Sequence, residues 1–115
     1  MTTTLFGIRN CDTVKKARAW LDAAGVAYVF QDYKSAGVDP GRLAGWADAV
    51  GWEALLNRAG TTFRKLPDDR RSDLDRERAL VLMVEQPSLI KRPVVEHAGG
   101  LIVGFKPDRF AAAFR

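Results

Sequence analysis

Hydrophobic and polar positions change their period along this chain, and the changes mark out its elements. Thr3 to Ile8 is an apolar, β-prone run and predicts a first strand. From Thr13 to Ala24 the period becomes helical: Val14, Ala17, Leu21 and Ala24 recur on one face, with Trp20 beside them. Thr13 or Asp12 is expected to cap this helix and Gly25 to stop it. Val26 to Tyr33 is β-branched and aromatic and predicts a second strand. Strand, helix and strand in that order imply parallel strands joined by a right-handed crossover.

The pattern then turns helical for about half the chain. Lys34 to Val38 reads as a connection, and Asp39-Pro40 as a cap followed by proline at the first helical position. Leu43, Trp46, Ala47 and Val50 form an apolar stripe, Gly51 interrupts it, and Trp52 to Asn57 gives a short second piece. Gly60 to Pro67 reads as a loop and Asp68 to Arg71 as a charged lead-in. Leu74 to Glu85 is helical again, with Leu80, Val81 and Val84 apolar and Met83 expected in the core. Gln86 to Ile90 ends it. Val94-Val95 starts a third strand, Ala98-Gly99-Gly100 signals a hairpin, and Leu101 to Phe105 is a fourth strand. A last helix is expected over Asp108 to Phe114, with Phe110 and Phe114 facing the sheet. The order is a β-α-β half, a helical insertion over about residues 39–90, and a β-β-α half. Joined, the halves predict an α/β fold of thioredoxin-like topology, with a four-stranded mixed sheet and helices on both faces. Residues 1–115 are expected to form one domain.

Composition narrows the classes. At 115 residues, 47% hydrophobic and 28% charged, the chain matches an ordinary globular domain. No apolar run approaches a membrane span, and Met1-Thr2-Thr3-Thr4 lacks the basic flank and apolar core of a secretory signal. A single cysteine excludes an internal disulfide and suits a reducing compartment, so a cytoplasmic location is expected. The net charge of +4 is spread as mixed signs, as in Lys65 to Arg71 and Asp73 to Arg78. Without a basic run or interleaved aromatics, direct nucleic-acid binding is not expected, and small anions are the better use for the arginines. No metal-ligand cluster is apparent. His97, the only histidine, reads as an exposed turn residue. No long apolar stripe argues for an obligate dimer, so a monomer is expected.

The chemistry concentrates in Asn10-Cys11-Asp12-Thr13, the predicted turn from first strand to first helix. A helix N-terminus offers unpaired N–H groups and about half a positive charge. A thiol placed there ionises more easily, and the thiolate is the nucleophile. Such a turn can also hold an anion. Candidate cations are Arg9 and Lys15 nearby, and Arg64, Arg92 and Lys106 from distant loops. Arg92 precedes Pro93, a candidate cis peptide where a strand begins. Together these suggest an anion pocket in which Arg64 and Arg92 face Cys11. Val14 stands where a Cys-x-x-Cys motif would have its second cysteine, so any redox cycle through Cys11 needs an external thiol.

Five stretches carry a family resemblance: Gly7 to Ala17, Gly51 to Asn57, Gly60 to Leu66, Gln86 to Val94 and Val103 to Pro107. Together they resemble the ArsC, or arsenate-reductase-like, family and within it the YffB-type branch of glutathione-linked thiol reductases. The resemblance covers essentially the whole chain. It implies a thioredoxin-like fold, a nucleophilic cysteine at Cys11, oxyanion-binding arginines at Arg64 and Arg92, and a cis proline at Pro93. It implies no bound cofactor, with glutathione as co-substrate and glutathione or a glutaredoxin-like protein as partner. The third arginine of true arsenate reductases corresponds to Lys106, and their histidine ahead of the cysteine has no counterpart, since Gly7 lies near that place. A lysine lacks the bidentate fork that suits an oxyanion. Both departures favour thiol reduction over arsenate. The related Spx and MgsR proteins imply an alternative, contact with RNA polymerase, here without the Cys-x-x-Cys switch of Spx.

Overall fold

The computed structural model describes residues 2–114; Met1 and Arg115, the ends of the expected 1–115 domain, lie outside them. The chain divides into two compact units: Met1–Ala36 with Arg92–Arg115, and Gly37–Lys91.

The first unit is built on four short strands, β1 (Thr4–Gly7), β2 (Val29–Asp32), β3 (Val94–His97) and β4 (Gly100–Val103). They form one mixed sheet in the order β2-β1-β3-β4. β1 runs parallel to β2 and antiparallel to β3, and β3 and β4 form a hairpin that pairs His97 with Gly100. This is the thioredoxin-like α/β arrangement. Register decides which side chains share a face. Phe30, Leu5, Val95 and Ile102 are successive cross-strand neighbours. On that row pack Val14, Ala17 and Leu21 of helix α1 (Asp12–Ala23) and Phe110 of the C-terminal helix (Pro107–Phe114). Phe110 is the aromatic hub, meeting Phe105 edge-on at 4.8 Å and Trp20 at 5.5 Å. Each fully buried Val, Leu or Phe side chain in this layer contributes about 1.5–3 kcal/mol of transfer free energy.

Two glycines shape the ends of this layer. A Cβ on Gly7 would stand 2.8 Å from Val14 Cγ2, so the end of β1 approaches α1 as closely as only glycine allows. Gly25, at a φ of 72°, ends α1: its N–H reaches the Asp22 carbonyl and that of Val26 reaches Leu21, a Schellman closure.

Several expected boundaries move. The residue that caps α1 is Cys11 itself, in extended conformation, and not Thr13 or Asp12, which are already helical. The second strand begins at Val29, and Tyr33–Ala36 forms a helical turn, α2, where a connection was expected. Asp32 causes this. Its carboxylate accepts from the N–H groups of Lys34 and Ser35, so it starts a helix where the composition reads as strand. His97 ends β3, half-buried with its ring 5.2 Å from that of Phe114, and its Nδ1 accepts from the Gly99 N–H; it is not an exposed turn residue.

The second unit is helical: α3 (Pro40–Val50), α4 (Trp52–Leu55), α5 (Thr61–Arg64), α6 (Asp68–Arg71) and α7 (Arg76–Glu85), then a 3-10 turn at Pro87–Leu89. Asp39 caps α3 as expected, accepting from Arg42 N–H at 2.8 Å. Asp75 caps α7 in the same way. The expected loop after Gly60 contains the helical turn α5, which turns Phe63 inward. α4 stops at Leu55 and not at Asn57. Leu56 bridges to Ile90, and the Asn57 N–H goes to the Leu89 carbonyl at 2.8 Å, so this stretch runs extended. Along α7 the buried positions are Ala79, Leu82 and Met83, whereas Val81 and Val84 are exposed. A six-residue apolar run, Ala79 to Val84, wraps around a helix, so its composition alone did not say which side faces in. Among the described residues no helix is long and apolar enough to cross a membrane. The C-terminal helix of the first unit is α8 (Pro107–Phe114).

Candidate functional site

The site is assembled in the first unit, at one end of its sheet. Three neighbouring strands contribute. β1 leads into Cys11, its parallel neighbour β2 leads into Tyr33, and β3, antiparallel to β1, is preceded by Arg92. The turn before Cys11 is closed by its own N–H, which donates to the Ile8 carbonyl at 3.2 Å. The Cys11 carbonyl accepts from Lys15 at 2.9 Å, the first bond of α1. The sulfur is therefore held at the start of a twelve-residue helix, partly exposed.

Arg92 crosses 81 residues of sequence to meet it. Its Nε donates to Cys11 Sγ at 3.4 Å. The Arg92–Pro93 peptide is cis, and the buried Pro93 accepts from Gly104 N–H at 2.8 Å through its carbonyl. Burial works against ionising the thiol and is the largest single influence on it. The Val14 N–H, the Arg92 guanidinium, the Thr13 N–H and the charge of Arg92 together outweigh it. The sulfur makes no capping hydrogen bond of standard geometry, yet the helix amides act on its charge. The net result is a thiol that ionises below its ordinary value.

Tyr33 and Asp32 belong to this site and escape a reading of the sequence. Tyr33 is 1% exposed and its hydroxyl is hydrogen-bonded by Arg92. Burial pushes its phenol far above its ordinary range, against the pull of Arg92. The Asp32 carboxylate accepts from the Arg9 N–H at 3.1 Å, tying the end of β2 to the turn that carries Cys11. Burial raises the Asp32 carboxyl, but the N–H groups of Arg9, Lys34 and Ser35 and the charge of Arg9 hold it below its ordinary value. The usable signal was positional. Asp-Tyr closes the strand expected to pair with β1, and residues at adjoining ends of parallel strands meet.

The other candidates fall as follows. Asn10, Asp12 and Thr13 are exposed around Cys11. Lys106 is exposed just ahead of α8, where its carbonyl accepts from Arg109 and Phe110; the foremost charge on the sulfur is that of Arg92. Arg64 is exposed at the end of α5 in the second unit. Arg9 stacks over Phe30 together with Arg18, whose guanidinium carbon is 4.3 Å from the ring centre. Val14 is fully buried against the sheet, so the place of a second cysteine is part of the core. Among the described residues no three His, Cys, Asp or Glu side chains gather as a metal site needs.

The sequence profile of the ArsC family matches residues 6–113. The chain belongs to the ArsC family. Among solved structures, a protein called YFFB is 55% identical, superposes with a TM-score of 0.96, and the match covers 99% of this chain and 100% of that one. An arsenate reductase (ArsC) related protein from Brucella melitensis is also 55% identical, with a TM-score of 0.79 and coverage of 100% and 96%. The global transcriptional regulator Spx of Streptococcus agalactiae is 28% identical over 111 residues, 95% of this chain and 80% of that protein. This ArsC-family chain therefore has relatives named for reduction and relatives named for regulation.

Proposed function

We propose that this protein is a monothiol reductase that uses glutathione. The observation that carries the reading is the 3.4 Å contact of Arg92 Nε with the sulfur of the chain's only cysteine, at a helix N-terminus. Membership of the ArsC family supports thiol chemistry at this turn. The electrostatics support it too, since exchange runs through the thiolate.

The steps balance as disulfide exchange. The Cys11 thiolate attacks one sulfur of a substrate disulfide; the S–S bond breaks, a mixed disulfide forms on Cys11, and the departing thiolate takes a proton from water. A glutathione thiolate attacks the Cys11 sulfur, releasing the second substrate thiol and leaving glutathione on Cys11. A second glutathione thiolate, or a glutaredoxin-like partner, attacks the glutathione sulfur. Cys11 leaves as thiolate and oxidised glutathione, or its mixed disulfide with the partner, departs. The substrate gains two electrons from two thiols. Arg92 assists twice, stabilising Cys11 as nucleophile and as leaving group, and its planar fork suits a glutathione carboxylate. Arsenate is the poorer substrate, since Lys106 stands in place of the third arginine. A reducing cytoplasm would keep Cys11 free.

A second reading, contact with RNA polymerase in the manner of a regulator, is favoured by the likeness to Spx. Mass spectrometry after incubation with oxidised glutathione separates the two. One glutathione on Cys11 is expected. No added mass on a protein whose thiol is confirmed free overturns the reductase and leaves the regulator.

A further inference from the structure

We propose that Tyr33 is a positioning residue: its buried hydroxyl steadies the Arg92 guanidinium, whose Nε meets the Cys11 sulfur. The inference rests on the reading above only for what the thiol is used for; the contact and its test do not need glutathione.

Three observations converge on it. The first is the arrangement of the donors. A guanidinium carries five N–H groups in a rigid plane. Arg92 meets the sulfur through Nε, and the Tyr33 phenol lies within hydrogen-bonding reach of its guanidinium. Each added contact on that plane narrows the pivot of a long side chain. The second is the anchoring of Tyr33 itself. It is 1% exposed and opens α2 directly after β2. Gly7 and Asp32 are paired across β1 and β2. Asp32 binds the N–H groups of Lys34 and Ser35 on one side of Tyr33 and the N–H of Arg9, two residues before Cys11, on the other. The phenol and the sulfur are thus set from adjoining strand ends by one carboxylate.

The third is the chemical type of the acceptor. A carboxylate at this place would orient Arg92 equally well but would cancel its charge. A buried phenol accepts the hydrogen bond and stays neutral, so the whole charge of Arg92 remains for the thiolate. The groups around the sulfur fit that division. Arg92 faces it from ahead of β3, Tyr33 lies close enough to feel the Cys11 charge, and the Asp32 carboxylate acts on Tyr33 from β2. Arg9, in the turn itself, stacks on Phe30 and donates its N–H to Asp32.

The test is the pH midpoint of Cys11 alkylation in four proteins: wild type, Tyr33→Phe, Arg92→Met and the double variant. Phenylalanine keeps the ring in the core and removes only the oxygen. Arg92→Met is expected to raise the midpoint by about one unit, the scale for losing a nearby opposite charge. Tyr33→Phe is expected to raise it by part of that, cutting the thiolate fraction below the midpoint roughly threefold. In the Arg92→Met background Tyr33→Phe is expected to add nothing, because it acts through Arg92. As a second measurement, the Arg92 Nε–H proton resonance is expected to be slow-exchanging in wild type and broadened in Tyr33→Phe. A wild-type midpoint in Tyr33→Phe, or an equal rise in both backgrounds, overturns the proposal. A wild type that takes no glutathione but shows the expected midpoints sinks the reductase and leaves Tyr33 in its role. Glutathione capture with an unmoved midpoint does the reverse.

Discussion

The two units of this chain use arginine in opposite ways. In the helical unit Arg70 pairs with Glu85 at 2.7 Å, Arg71 with Asp68, and Arg76 with Asp48 at 2.9 Å, each with an exposed carboxylate partner. Such pairs are solvated, screened, and each contributes about 0–1 kcal/mol. In the sheet unit Arg92 is half-buried and donates to a sulfur, with a buried phenol beside it. The residue type is the same; what differs is whether a strand end carries the guanidinium to a partner that water cannot replace. Charge count is therefore a poor guide to chemistry here, and the net +4 is spread over sites of very unequal consequence.

The comparison can be broken or sharpened by experiment. Cys11→Ser should abolish glutathione-dependent reduction of a disulfide substrate, read by thiol release; turnover retained in a chain without cysteine would move the chemistry off this turn. Next in size is the layer that holds the turn in place. Leu21 is fully buried between α1 and the sheet, and Leu21→Ala should cost about 2–5 kcal/mol in urea unfolding. A loss under 1 kcal/mol would mean that α1 is not anchored as described. The contrast itself is tested by Arg76→Ala beside Arg92→Ala. Arg92→Ala should slow alkylation below the midpoint by about tenfold. Arg76→Ala should leave the alkylation profile unmoved and stability within about 1 kcal/mol. An alkylation change in Arg76→Ala would break the division.

The smallest effects lie in the pH dependence of folding. The Cys11 thiol is depressed in the folded state. It contributes nothing below its folded pKa, and its contribution grows as pH rises through that value to the unfolded value of about 8.5. Asp32 is also depressed. Its contribution is present above the unfolded value of about 3.9 and is lost as pH falls through the folded one. Urea midpoints against pH should flatten on the alkaline side in Cys11→Ser and on the acid side in Asp32→Asn. Unchanged slopes would show that these groups are not held as described.

What the sequence by itself determined is whatever depends on neighbours in the chain. Asp39 and Pro40 start α3, Gly25 closes α1, Ala98-Gly99 turns the β3–β4 hairpin, and the βαβ and ββα halves follow from period alone. These features rest on caps, turns and spacing within a few residues, where local hydrogen bonds and sterics decide. Cys11 was legible for the same reason, as a thiol between a strand and a helix. The tertiary structure alone decided which side of α7 is buried, that Asp32 starts a helix inside a β-prone run, and which distant cation reaches the sulfur. The residues alone offered Arg64, Arg92 and Lys106, and the family resemblance pointed to Arg64 and Arg92. Strand pairing is what brings Arg92 to the sulfur, since its separation of 81 positions from Cys11 is closed by β1 lying beside β3. Tyr33 was legible only as an aromatic at a strand's end. Its meaning depends on the register of Gly7 with Asp32, where one residue of slip would turn every side chain of β2 to the other face.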